Sequence, residues 1–293
     1  MKEQIPPILR PERVEPVTLS SLVERFSLEL ISGELSTAVT GISMNTNDLR
    51  AGDLFVAMPG LKTHGANFAS KAIESGASAI ITDGDGLGIL GSVGVPVLRL
   101  EKPRLHLGDL AAFVYGNLPA VMPLMFGTTG TNGKTTVTTL LHQIFSAVGR
   151  ESGLIGTVET RIGAESLKST RTTPEAPELQ ALAATMRERH IRHLVMEVSS
   201  HSLTLKRMIG SHFAIVGFTN LSQDHLDFHG DMESYFKAKT KLFTHEYGDL
   251  GFVNIDSEYG LRLFNESPIP VISVSRHNTK ATWHFTQVNN IVS

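Results

Sequence analysis

Short apolar runs alternate with amphipathic stretches along the chain, and the rhythm changes near residue 120. In residues 18–118 the runs Leu54–Met58, Ala79–Thr82 and Val95–Leu100 read as strands, with helical spacing over Asn67–Ser75 and Arg104–Val114. That alternation predicts a small α/β module. Gly116-Asn117-Leu118-Pro119 breaks it, and Ala120–Pro123 reads as a linker. From Leu124 a strand-then-helix order repeats. Leu124–Phe126 feeds a glycine-rich turn and a helix over Thr135–Val148, and a helix over Ala176–His190 precedes the run His193–Val198. Phe213–Phe218 precedes a polar turn and a helix over Met232–Phe243, and Gly251–Ile255 follows. This repetition predicts a mainly parallel sheet with helices on both faces and ligands at the carboxyl ends of its strands. Thr282–Val288 alternates like a further strand with no closing element after it, so the second module reads as truncated. The expected division is an α/β module over residues 1–119 and a second over 120–293.

Composition narrows the class. A chain of 293 residues has room for two domains, and 41% hydrophobic with 19% charged residues is ordinary for a soluble protein. The formal charge of −3, with no basic stripe, argues against nucleic acid as a partner. Without cysteine there is no disulfide framework and no thiolate metal site, which fits a reducing cytosol. The start, Met1–Val17, carries Pro6, Pro7, Pro11 and Pro16 and lacks the apolar core of a signal peptide. The most apolar long window, Leu110–Phe126, is interrupted by Gly116, Asn117, Pro119 and Pro123 and makes a poor membrane span. The expectation is a cytoplasmic monomer with no membrane insertion.

Candidate chemistry begins at Gly127-Thr128-Thr129-Gly130-Thr131-Asn132-Gly133-Lys134-Thr135-Thr136, between a strand and a helix. Glycines there let backbone N–H groups turn onto phosphate oxygens beside a helix N-terminus. Lys134 would reach the terminal phosphates and Thr135 would offer its hydroxyl to Mg²⁺. Thr128 stands where the strict loop pattern has glycine, so this is a variant. Glu197 ends a strand beside the loop, where an acid can hold a nucleotide's metal. The next strand runs into Thr219–His229 and places His225 at the same sheet edge, while His201 and His229 read equally well as surface residues. On the Met232–Phe243 helix, at about 100° per residue, Tyr235, Ala238, Lys239 and Leu242 share one stripe, and Lys239 stands about 200° from Lys237. Lys237 and Lys241 share another face. An inward ammonium either snorkels out along its stem or is paired or chemically altered.

Together these residues resemble the Mur ligase family, and within it the branch that extends UDP-N-acetylmuramoyl-L-alanyl-D-glutamate. The matching motifs are Gly130–Thr136, Thr172-Thr-Pro-Glu-Ala-Pro177, Met196–Ser202, Phe218–Gly230 and Met232–Lys239, with Gly52–Ala57 and His64-Gly65 similar to the family's UDP-binding domain. The resemblance implies a ligase that uses ATP and Mg²⁺ to add a third amino acid, meso-diaminopimelate or L-lysine, through an acyl-phosphate. It implies ATP binding by Gly130, Thr131, Asn132, Gly133, Lys134, Thr135 and Thr136, and catalytic roles for Lys134, Glu197, His225 and Lys239. Thr135, Glu197, His225 and Lys239 would be metal ligands, Lys239 as the carbamate (N6-carboxylysine). Thr172, Thr173, Ser199 and Arg207 match positions that hold the muramoyl peptide, and Met44, Thr46, Leu61, Lys62 and Thr63 match the uridine side. Asn45-Thr46-Asn47 departs from the Asp-Ser-Arg frequent there. By the same resemblance, the family's third domain, which binds the incoming amino acid, is expected to lie outside these residues. The alternatives are a ligation-inactive fragment that binds nucleotide and UDP-substrate, and a folylpolyglutamate-synthase-like ligase, which should lack Thr172–Pro177 and a UDP module.

Overall fold

A computed structural model describes residues 9–60 and 62–285. The chain forms two compact units, the first comprising Met1–Met122, Pro174–His190 and Lys206–Ser211, the second Pro123–Thr173, Ile191–Leu205 and His212–Ser293. The expected second module therefore gives up two segments to the first unit.

In the first unit, β1 (Val17–Thr18) pairs with β3 (Ala38–Val39), and a five-stranded sheet is formed by β2 (Glu29–Ser32), β4 (Gly41–Ser43), β5 (Asp53–Ala57), β6 (Ala77–Thr82) and β7 (Val97–Arg99), in the order β2-β7-β6-β5-β4. β4 to β7 are parallel and β2 is antiparallel to β7. Side chains alternate between two cores: Leu54, Val56, Ala79 and Ile81 enter one, Phe55, Ala57, Ala77 and Ile80 the other. A sheet covered on both faces is why these strands read as unbroken apolar runs. The helix expected over Arg104–Val114 is a 3₁₀ turn, Pro103–Leu105, followed by an α-helix, Leu107–Val114. Leu107, Leu110, Ala111 and Val114 give it one buried face. Against that core lie Ala176, Ala181 and Ala184 of the helix Ala176–Glu188. Small side chains allow close helix–helix approach, and polar contacts fix the pair. Asn117 Nδ2 donates to Gln180 O at 2.8 Å, and Arg187 donates to Gly116 O at 2.7 Å and Tyr115 O at 2.8 Å. These contacts place Ala176–His190 in the first unit.

The second unit is built on nine strands: β8 (Leu124–Thr129), β9 (Ser152–Ile155), β10 (Glu159–Ile162), β11 (Glu165–Lys168), β12 (His193–Glu197), β13 (Phe213–Phe218), β14 (Gly248–Asn254), β15 (Val271–Ser275) and β16 (Trp283–His284). Their order is β11-β10-β9-β12-β8-β13-β14-β15-β16. β9, β12, β8, β13, β14, β15 and β16 are parallel, as expected, and β10–β11 is an antiparallel hairpin on β9 that has no counterpart in the expected elements. Glu197 stands opposite Thr128, and Phe218 opposite Thr129. This register brings the ends of β12, β8 and β13 to one edge. Of the strand expected over Thr282–Val288, Trp283–His284 pairs with β15, and residues 286–288 lie outside the described residues. Among the described residues no helix is long and apolar enough to cross a membrane.

Candidate active site

β8 runs into the loop Gly130–Gly133, and the helix Lys134–Ala147 follows at once. That helix starts on Gly133 (φ 83°) with no side-chain cap and no acidic residue in its first turn. Its first N–H groups and the positive end of its dipole suit an anion. Gly130 is required by shape, because at φ 149° an added Cβ would lie 1.9 Å from Thr219 Oγ1. The turn after β13 scaffolds the loop. Thr131 N donates to Asn220 O at 2.9 Å, Asn132 N to Asn220 Oδ1 at 3.0 Å, and Thr219 Oγ1 to Asn132 O at 2.6 Å. Lys134 Nζ donates to Gly130 O and Thr131 O, each at 3.0 Å, and burial lowers its pKa. Gly130→Ala is expected to destabilise the protein by about 1–3 kcal/mol through overpacking. Gly88→Ala, with nothing within 4 Å of the added carbon, is the control. Equal melting temperatures for the two variants would remove the shape argument.

Glu197 is buried, and both its oxygens are engaged. Oε1 accepts from Thr135 Oγ1 at 3.0 Å and Thr157 N at 2.8 Å, while Oε2 accepts from Thr157 Oγ1 at 3.0 Å. The loop threonine and the strand-end acid thus meet. Gly156 makes room, since a Cβ there would lie 2.5 Å from Glu197 Oε1. Thr172 Oγ1 lies 3.1 Å from Thr157 Oγ1, Thr173 Oγ1 donates to Glu197 O at 3.0 Å, and Ser199 N donates to Thr173 Oγ1 at 3.1 Å. Thr157, which the sequence reading passed over, links the acid to Thr172.

Three imidazoles gather beside this cluster. His225 occupies the left-handed region (φ 52°), 3.5 Å from Asp224 Oδ2. Its ring lies 4.9 Å from that of His201, which stacks on Phe228 at 4.1 Å and lies 5.6 Å from His229. His229 Nε2 is 2.9 Å from Ser200 Oγ, and burial lowers the His229 pKa.

Lys239 does not snorkel. It is 1% exposed, and Tyr235, Ala238 and Leu242 are buried with it, whereas Lys237 and Lys241 face water. Its ammonium donates to Gly130 O at 2.9 Å and lies 4.6 Å from the Tyr235 ring centroid. Burial, then the Lys134 cation, push its pKa down to about 7 against the pull of Asp224. Among the described residues no three His, Asp or Glu side chains form a group able to hold a metal ion by themselves.

The remaining candidates lie in the first unit. Arg207 Nε meets Glu175 Oε1 at 2.8 Å, and Glu175 Oε2 takes Arg104 Nη1 at 2.7 Å. Met44 packs partly on the core, Thr46 is half-buried, and Lys62 and Thr63 are exposed. Thr63 O accepts from Gly60 N at 3.1 Å. Leu61 lies outside the described residues.

Comparison with known proteins places the chain by sequence and by fold. The Mur ligase middle domain matches residues 128–291, and the Mur ligase family, catalytic domain, matches residues 38–115. The UDP-N-acetylmuramoyl-L-alanyl-D-glutamate–2,6-diaminopimelate ligase of Streptomyces avermitilis is 45% identical over 280 residues, 95% of this chain and 54% of that protein. The UDP-N-acetylmuramyl-tripeptide synthetase of Leifsonia xyli is 43% identical over 283 residues, 96% of this chain and 55% of that protein. A solved UDP-N-acetylmuramoyl-L-alanyl-D-glutamate–2,6-diaminopimelate ligase superposes with a TM-score of 0.75 at 25% identity, over 92% of this chain and 54% of that one. The chain spans about half the length of the curated relatives it matches. Since the middle-domain match alone takes in more than half of its residues, the chain belongs to the Mur ligase family.

Proposed function

We propose that this chain carries the nucleotide and UDP-substrate sites of an ATP-dependent ligase that adds meso-diaminopimelate or L-lysine to UDP-N-acetylmuramoyl-L-alanyl-D-glutamate. One observation carries the reading: an uncapped helix start, the Lys134 ammonium and the Thr135–Glu197 pair converge at one sheet edge. The names of the relatives supply the substrate class. The reaction belongs in the cytoplasm, where ATP is available.

The paired oxygens of Thr135 and Glu197 suit a hard divalent cation, and the resemblance adds the nitrogen of His225. Thr135, Glu197, His225 and Lys239 as its carbamate would hold Mg²⁺, which when bound offsets charge on the transferring phosphoryl group. The chain's own groups do the rest. Gly130 to Thr136 cradle the phosphates of ATP, and Lys134 stabilises charge as the substrate carboxylate becomes an acyl-phosphate open to the incoming amine. Thr172, Thr173 and Ser199 are the second unit's candidates for the muramoyl peptide and Arg207 the first unit's, and the resemblance assigns Met44, Thr46, Leu61, Lys62 and Thr63 to the uridine end. Calorimetry on this chain tests the reading. Saturable, Mg²⁺-dependent binding of AMP-PNP is expected, with separate binding of the UDP-muramoyl dipeptide that does not displace it. Binding of neither ligand would overturn the proposal.

A further inference from the structure

Tyr235 touches three parts of the second unit's site at once. It is 1% exposed, and its hydroxyl lies 3.3 Å from Thr131 Oγ1 in the phosphate loop. Thr131 Oγ1 already accepts from Ser222 N at 3.0 Å and donates to Ser222 O at 3.2 Å, which leaves the phenol as donor. The Tyr235 ring lies 4.9 Å from that of His229 and 6.1 Å from that of His225, and carries the Lys239 ammonium 4.6 Å from its centroid. One turn further along the same helix, Lys239 donates to Gly130 O at 2.9 Å. Residues four apart on one helical face therefore grip adjacent residues of the loop. A phenylalanine would fill the same volume, so the hydroxyl's specific contribution is its hold on Thr131.

We propose that Tyr235 is a positioning residue whose hydroxyl pins the phosphate loop at Thr131 to the helix that carries Lys239, while its ring fixes the course of the Lys239 side chain. The loop and Lys239 then move as one body. The consequence for nucleotide affinity rests on the function proposed above, but the tie itself does not.

Hydrogen exchange on the whole, ligand-free chain reads the tie directly, because the Thr131 and Asn132 amides are both held by Asn220. Tyr235→Phe should speed exchange at these two amides by roughly 5–10-fold and leave those of Ala176–Glu188 unchanged. Thr131→Val, which also loses both Ser222 contacts, should speed it at least as much, and Thr131→Ser should keep wild-type rates. Adding Tyr235→Phe to Thr131→Val should change nothing further. AMP-PNP affinity should fall in Tyr235→Phe, while acetylation of Lys239 by a soluble reagent should rise only in Tyr235→Leu, which lacks the ring. Wild-type exchange at Thr131 and Asn132 in Tyr235→Phe overturns the proposal. A wild-type chain that shows the exchange pattern yet binds no AMP-PNP overturns the nucleotide reading and leaves the tie standing.

Discussion

Replacing Lys134 by alanine should weaken Mg-ATP binding by about 100-fold or more while leaving the fold intact. The ammonium is already parked at the mouth of the loop by Gly130 O and Thr131 O, so little rearrangement is needed to meet a phosphate. Charge-assisted hydrogen bonds contribute about 1.5–3 kcal/mol each, and every 1.4 kcal/mol is about tenfold in affinity. One strong contact and part of a second suffice for the expected loss. Stability should not suffer, because burial disfavours the charged form of this amine and alanine removes that penalty. Arginine is not expected to rescue, since its planar fork does not reproduce a compact ammonium in a loop sized for lysine. Titration calorimetry with AMP-PNP decides the matter: unchanged affinity in Lys134→Ala would mean that the loop does not hold the terminal phosphates.

What the sequence made legible follows from how local each signal is. The phosphate loop stands out because its glycines, its lysine and the strand and helix on either side all lie within about thirty residues, as in any compact strand–loop–helix unit. That Lys239 shares a face with Tyr235 and Leu242 was legible for a similar reason, since helical period fixes which residues share a face, but period alone left open whether its ammonium snorkels out. Where a buried face goes is a different question. Ala176, Ala181 and Ala184 announce a close-packing face, but only the folded chain shows that it meets the first unit's core. The β10–β11 hairpin, Glu159–Lys168, is mostly polar and partly exposed, so it lacked the apolar run that marked the other strands. With it went Thr157, which lies in the turn between β9 and β10 and owes its place to Glu197. His201 sat too far from His225 in sequence for any spacing rule, and only the folded chain brings their rings to 4.9 Å.

Lys239→Met should raise stability near pH 6 while removing the group on which the proposed catalysis depends. Burial and the Lys134 cation hold the Lys239 amine down to about 7, against 10.5 for the ordinary side chain. Below pH 7 the folded and unfolded chains both carry the proton, and the folded one bears the full penalty, on the order of 5 kcal/mol. Between those two values the unfolded chain binds a proton that the folded chain does not, so wild-type stability climbs with pH through that window. Methionine fills similar volume, never charges, and loses the hydrogen bond to Gly130 O and the ammonium's contact with the Tyr235 ring, which together offset roughly 2–4 kcal/mol of the gain. The variant should melt several degrees above wild type at pH 6, and the gap should close towards pH 10.5. Lys237→Met and Lys241→Met, on the exposed face, should show neither effect. Bicarbonate adds an independent arm. A CO₂ adduct that forms on Lys239 only in the folded chain must stabilise it by mass action, so bicarbonate at neutral pH should raise the melting temperature of wild type and leave Lys239→Met unmoved. If the methionine variant melts below wild type at pH 6, the buried ammonium is a structural asset and not a strained functional group. If bicarbonate moves both proteins alike, Lys239 is not where carbon dioxide adds.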